Sequence, residues 1–168
     1  NQDTFHDRFP ADFISEAVDQ TRGWFYSLTA EATLLFEQEA FENCIVLGHV
    51  QDKEGIKMSK HKGNVVNPWD AIDAEGADAV RWYFYSNSQP WLPSRFSLDA
   101  VKEDKRKFMG TLWNTYAFYV LYAEIDQFKP QDHPWDPHKV NVIDRWILSR
   151  LNTLVAQVTD SLEKFDIL

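Results

Sequence analysis

Four lysines crowd one short stretch bounded by glycines. Lys53, Lys57, Lys60 and Lys62 face a single Glu54 between residues 53 and 63, a net of three positive charges in a chain whose formal net charge is −9. The core of the stretch reads Gly55-Ile56-Lys57-Met58-Ser59-Lys60-His61-Lys62-Gly63-Asn64. Ammonium groups converging in this way suit a phosphate, since they are point charges of the right sign and reach. Glycines at both ends allow the backbone the unusual conformations of a loop that closes on a substrate. A solvated turn accounts for the lysines equally well, so the neighbouring residues must decide.

A second polar group lies upstream. Glu16, Asp19 and Gln20 follow a short expected strand at residues 11–15, and a helix is expected to run on from them to about residue 38, with Val18, Phe25, Leu28, Ala32 and Leu35 on one face. Acids in a first helical turn also serve as simple dipole matching. Residues 43–50, Asn-Cys-Ile-Val-Leu-Gly-His-Val, read as a continuous strand buried on both faces. Strand, helix and strand in this order form a βαβ unit with a right-handed crossover. Ligands collect at the carboxyl ends of parallel strands, and both polar groups fall there, with His49 just before the lysine loop. Carboxylates for ribose hydroxyls and lysines for phosphates make a nucleotide site.

Composition narrows the field. At 168 residues, 44% hydrophobic and 15% aromatic, with seven Trp, twelve Phe and six Tyr, the chain packs a core. Its acidic balance argues against a free-standing nucleic-acid binder held by broad electrostatics. The single cysteine, Cys44, falls in an apolar run, reads as a small buried residue, and fits a reducing, cytoplasmic setting. No stretch approaches the roughly 18 apolar residues of a membrane span, and no signal peptide is visible. A start at Asn1 without methionine and an end at Leu168 inside a helical pattern suggest a fragment of a longer polypeptide.

Beyond the loop, Asn67-Pro68 suits a helix start and Gly76 a helix end, with a second helix over residues 77–85. Gln89-Pro90-Trp91-Leu92-Pro93 is rich in breakers and marks a candidate boundary. One long amphipathic helix is expected over residues 97–126, with Val101, Lys105, Phe108, Leu112, Thr115 and Tyr119 on one face. Its Lys102, Lys105, Arg106 and Lys107 suit an RNA backbone, yet residues 99–129 carry five basic and five acidic side chains, which equally suits a solvated face. Residues 129–139 form a loop. From about Asn141 a last helix aligns Ile143, Ile147, Leu151, Leu154, Val158, Leu162 and Phe165 in a stripe that calls for a partner helix.

Lys57-Met58-Ser59-Lys60-His61 resembles the KMSKS signature of class I aminoacyl-tRNA synthetases, with His61 in place of the more frequent serine. Phe9-Pro10-Ala11-Asp12-Phe13, Asp19-Gln20 with Arg22-Gly23-Trp24-Phe25, Gly48-His49-Val50, Gly63-Asn64-Val65-Val66 and Asp144-Arg145-Trp146-Ile147-Leu148-Ser149-Arg150-Leu151 resemble, in order, landmarks of the isoleucyl members of that class. The resemblance implies an α/β fold: the C-terminal part of a Rossmann-like nucleotide-binding domain, followed by a mostly α-helical bundle segment. It places the catalytic part at residues 1–66, a stem-contact connecting region at 67–97, and the start of a helical anticodon-binding domain at 98–168. It implies ATP, as its magnesium complex, L-isoleucine and tRNA(Ile) as substrates and partners, with no metal site in this chain and no membrane. Lys57 and Lys60 would hold the triphosphate, and Glu16, Asp19 and His49 the adenylate, with Asp19 at the ribose and His49 against the adenine. Gln20 would face the aminoacyl end, and Trp24 would wall the isoleucine pocket.

Two positions depart from the family pattern. Ala17 stands where glycine is usual, adding a methyl group at a close backbone approach, and His61 leaves both flanking lysines and Ser59 intact. The partner signature His-Ile-Gly-His does not occur in the sequence, nor does the inserted editing domain or a cysteine-rich zinc site. The chain is therefore expected to be inactive alone, completed by an N-terminal catalytic half and the rest of the anticodon-binding domain of the same polypeptide. A valyl or leucyl synthetase fragment is the nearest alternative, and a non-catalytic helical tRNA-binding module the alternative of a different kind.

Overall fold

Strands β1 (Ala11–Ala17) and β2 (Phe41–Leu47) lie side by side in parallel, in a register that pairs Ala11 with Phe41, Glu16 with Val46 and Ala17 with Leu47. The computed structural model that shows this describes residues 4–168 apart from 6, 135 and 137. Between the strands run a 3₁₀ turn (Val18–Arg22) and helix α1 (Trp24–Phe36), so the expected strand–helix–strand unit forms. Its boundaries move, however. The first strand continues to Ala17, past the expected residue 15, and Glu16 belongs to the strand rather than to a helix. Helix α1 buries Phe25 and Ala32, while Val18 and Leu35 of the expected apolar face are exposed.

The strand expected over residues 43–50 is also corrected. It ends at Leu47, and Val50 begins a separate strand, β3 (Val50–Gln51). Nor is it buried on both faces: Glu42, Asn43, Cys44 and Leu47 are exposed and no residue of β2, which pairs with β1 in a two-stranded sheet among the described residues, is fully buried. Cys44 is consequently exposed rather than a core residue.

Gly48 produces the break. Its N–H donates to the Pro90 carbonyl at 2.8 Å, and the backbone of Leu92 and Pro93 lies directly against its Cα. The segment 90–93 then leads into β4 (Ser94–Arg95), which pairs in parallel with β3, Val50 opposite Ser94 and Gln51 opposite Arg95. Ser94 N–H donates to the His49 carbonyl at 3.1 Å and Phe96 N–H to the Gln51 carbonyl at 2.8 Å. The breaker-rich stretch thus seats itself on the end of β2 inside the first of two compact units, Asn1–Val101 and Lys102–Leu168.

Helix α2 (Pro68–Glu75) starts as expected, with Asn67 Oδ1 accepting from Trp69 N–H at 3.2 Å and Pro68 in the first turn. Gly76 ends it at φ 90, a conformation that glycine adopts without a Cβ penalty, and α3 (Ala77–Ser86) follows. The Tyr83 hydroxyl on α3 donates to the Arg95 carbonyl and accepts from Asn87 Nδ2 at 3.1 Å. Tyr83 also meets the Phe96 ring edge-on, and Phe84 stacks on that ring at 5.5 Å. Among the described residues, Ile14, Phe25, Ala32, Ala71, Ala79, Tyr83, Phe96 and Val101 are the buried apolar ones.

The expected single helix over 97–126 is interrupted. Helix α4 (Leu98–Lys105) passes into a π-helical turn (Arg106–Gly110) and then α5 (Thr111–Ile125). A π turn inserts about one extra residue, which rotates everything beyond it. The stripe from Val101 to Tyr119 is accordingly not one face. Val101 is fully buried, whereas Leu112 and Tyr119 are exposed. Arg106 and Lys107 pair with Glu103, and Lys107 also with Asp104, so these two members of the basic cluster are matched by nearby acids. The loop expected after residue 129 contains a 3₁₀ turn, Pro130–Asp132, and its residues 135 and 137 lie outside the described residues. Helix α6 (Val142–Glu163) starts where expected, with Asn141 Oδ1 accepting from Asp144 N–H at 3.0 Å. Its apolar stripe, Ile143 through Leu162, is exposed.

A Cβ at Gly48 falls on the Leu92 carbonyl and within 2.9 Å of Pro93 N. Backbone atoms there have no rotamer through which to yield. Gly48→Ala should therefore lower stability by about 1–3 kcal/mol, as overpacking does. Urea unfolding measures this, and an unchanged midpoint would show that segment 90–93 is free to move away.

Candidate functional site

The lysine loop is a hairpin closed by side chains. Asp52 N–H donates to the Ile56 carbonyl at 2.9 Å and Gly55 N–H to the Asp52 carbonyl at 3.0 Å. This brings Lys57 back beside Gln51 in an antiparallel bridge. Gly55 sits in the left-handed region at φ +83, with the Arg95 guanidinium 3.3 Å from where a Cβ would stand. Glycine satisfies both the conformation and the close approach. Ser59 is extended and its Oγ accepts from Lys62 N–H at 3.3 Å, capping a 3₁₀ turn (Lys60–Lys62) that Gly63 ends in the left-handed conformation.

Two residues hold the loop together, Asp52, which the sequence analysis did not single out, and Asn64, to which it gave no role of its own. Asp52 Oδ1 accepts from the N–H groups of Glu54 and Ile56 at 3.1 and 2.8 Å, and Oδ2 accepts from Asn64 Nδ2 at 2.7 Å. The Asn64 amide, and after it the Ile56 N–H, hold the Asp52 carboxyl below the ordinary carboxylate range, with the charge of Lys62 adding to the effect. The available signal was local: Asp52-Lys53-Glu54-Gly55 is a turn sequence in which an aspartate bonds its own following backbone.

The four loop lysines differ in their surroundings. Lys53 pairs with Glu54 at 3.7 Å, and Lys62 acts on Asp52. Lys57 and Lys60 are exposed and have no carboxylate partner among the described residues. Lys57 Nζ instead lies 3.4 Å from His49 Nε2, bringing together two residues expected at the site. His49 is half-buried at the junction of β2 and β3.

The second group lies at the carboxyl end of the neighbouring strand. Glu16, exposed on β1, stands opposite Val46 in the register, two positions before Gly48. Asp19 is in the 3₁₀ turn after β1. Gln20 has a structural duty: its Oε1 accepts from Trp24 N–H at 2.9 Å and so caps α1, which leaves the amide hydrogens on Nε2 as the donors available to a ligand. Trp24 opens α1 and is 44% exposed, its ring 6.0 Å from that of Phe25. Glu16 and His49 thus lie near the carboxyl ends of two paired parallel strands, with Lys57 beside His49, the position at which open α/β sheets bind ligands.

Known proteins resemble the chain closely. Residues 1–93 match the family described as tRNA synthetases class I (I, L, M and V). The isoleucine–tRNA ligase of Clostridium acetobutylicum is 61% identical over 167 residues, covering 99% of this chain and 16% of that protein. That of Clostridium novyi is 62% identical over the same length and shares. The chain thus spans about 16% of the length of these curated relatives. Among solved structures, the leucyl synthetase of Agrobacterium radiobacter K84, in a ternary complex with tRNA and LeuAMS, superposes with a TM-score of 0.74 at 22% identity, covering 94% of this chain and 20% of that one. The fold described above is therefore that of a class I synthetase, and with more than half its residues matched by the family, the chain belongs to the class I tRNA synthetases.

Proposed function

We propose that the chain is the lysine-loop part of an isoleucine–tRNA ligase. The whole protein would join the carboxylate of L-isoleucine to the α-phosphorus of ATP, breaking the bond to the bridging oxygen and releasing pyrophosphate. It would then pass the aminoacyl group to tRNA(Ile). The relatives named above carry this activity in their names. The observation that bears most weight is the presentation of Lys57 and Lys60, with no acid partner among the described residues, on a loop whose Lys57 lies beside His49.

Charge grows on the leaving phosphates in this reaction, so positioning and charge stabilisation supply most of what the protein must add. Lys57 and Lys60 meet that charge, Lys60 from the tight turn capped by Ser59. Magnesium arrives with ATP as part of the substrate. Glu16 and Asp19 offer carboxylates to ribose hydroxyls, His49 an edge to the adenine, and Gln20 its remaining amide donors to the aminoacyl end. Trp24 walls the side-chain pocket. In this reading residues 1–66 are the C-terminal part of a Rossmann-like catalytic domain, 67–97 a stem-contact connection and 98–168 the start of an anticodon-binding bundle, in a cytoplasmic enzyme. The His-Ile-Gly-His half of the site comes from elsewhere in the polypeptide.

ATP–pyrophosphate exchange in the full-length protein with each of the twenty amino acids should depend on isoleucine. Exchange driven by valine or leucine alone would reassign the substrate. Lys60→Ala should lower kcat for exchange about a hundred- to a thousandfold, the usual loss for one transition-state charge contact. A rate within twofold of the parent would return the loop to a solvated turn. Trp24→Ala should raise the KM for isoleucine with less change in that for ATP, and equal effects on both would remove Trp24 from the side-chain pocket.

A further inference from the structure

Asn64 holds the loop backbone on both sides of Met58. Its Oδ1 accepts from Ser59 N–H at 2.9 Å, and its Nδ2 donates to the Lys57 carbonyl at 3.4 Å and to Asp52 Oδ2 at 2.7 Å. Lys57, Ser59 and, one residue on, Lys60 are thereby tied to one side chain. Asp52 lies 12 positions earlier and closes the ring. An Asx turn alone explains the two bonds to Asp52 Oδ1, but not an amide that spans the loop from its far end.

We propose that Asp52 and Asn64 are positioning residues that act as a latch, fixing Lys57 and Lys60 relative to β3 so that their ammonium groups meet the phosphates together. The inference rests on the reading of those lysines as phosphate ligands. An ionised carboxylate suits the role, since it offers only acceptors to the three N–H groups that converge on it. The Arg95 guanidinium beneath Gly55 pins the turn from β4, so latch and lysines are referred to the same short sheet.

The pair can be exchanged on paper with little loss. In D52N/N64D, the new amide oxygen at position 52 accepts from the Glu54 and Ile56 N–H groups and its NH₂ donates to the new carboxylate, whose other oxygen accepts from Ser59 N–H. Only the longest bond, to the Lys57 carbonyl, is lost. The single variants, by contrast, oppose two donors or two carboxylates. In the full-length protein, D52N and N64D should each lower kcat for isoleucine-dependent exchange about tenfold or more, with the KM for isoleucine unchanged, and D52N/N64D should recover most of the loss. Deuterium exchange at the Ile56 and Ser59 amides should quicken about tenfold in the single variants and slow again in the double one. Loss of activity in both singles without recovery in the swap overturns the latch, as does activity unchanged in the singles while Lys60→Ala is impaired. If Lys60→Ala is itself fully active, the phosphate reading fails and takes the proposal with it. In that case the amide exchange still reports whether the pair holds the loop.

Discussion

The absence of a side chain at Gly48 is the constraint on which the arrangement of the first unit turns. Because the backbone of Leu92 and Pro93 lies directly on this residue, β2 ends there and hands over to β3, which then has β4 for a neighbour. From that seating follow the placement of Arg95 under Gly55, the anchoring of Arg95 by Tyr83, and the return of Lys57 to the edge of Gln51. A strand that ran on straight to Val50 would carry His49 and the lysines past the end of β1. The break turns the loop at the strand ends instead.

Much of this was legible in the sequence where short-range chemistry decides. Asn67-Pro68, Gly76 and Asn141 act as helix punctuation because a cap or a positive φ is satisfied within a few residues. His49 and the lysines follow β2 as expected, because a parallel strand end is a place that order along the chain can identify, whereas Glu16 falls within β1 rather than after it. What stayed hidden depends on distant partners. Burial of β2 on both faces requires neighbours that a two-stranded sheet does not supply, so Cys44 emerges exposed. Residues 89–93 look like a boundary by composition, and nothing in that composition marks the bond from Gly48 N–H to the Pro90 carbonyl or the seat of Leu92 and Pro93 against Gly48. The π turn after Lys105 is a local rewinding that leaves no mark in an apolar pattern averaged over a long helix.

Gln20 illustrates how a residue can serve two purposes. Its amide is an acceptor at one end and a donor at the other, and capping α1 uses only the acceptor. The cap also fixes the orientation of the donor. A Cβ at Gly23 would come within 2.7 Å of the same oxygen, the movable end of the Gln20 side chain, so a larger residue there would displace the cap. The sequence pattern Gln20 to Trp24 is therefore at once a helix start and a means of presenting an amide at the strand end, and neither description excludes the other.

The distribution of charge completes the argument. A chain with a net charge of −9 repels anions over most of its surface, so a concentration of cations has value only where acids do not neutralise it. On α4 and the turn after it, Arg106 and Lys107 are matched by Glu103 and Asp104. In the lysine loop the one aspartate, Asp52, directs its carboxylate at N–H groups and an amide rather than at Lys57 or Lys60. The acid that shapes the loop is thus kept from quenching it. Structural order and two lysines without a carboxylate partner among the described residues coexist in one short loop because the Asp52 carboxylate is satisfied by neutral donors.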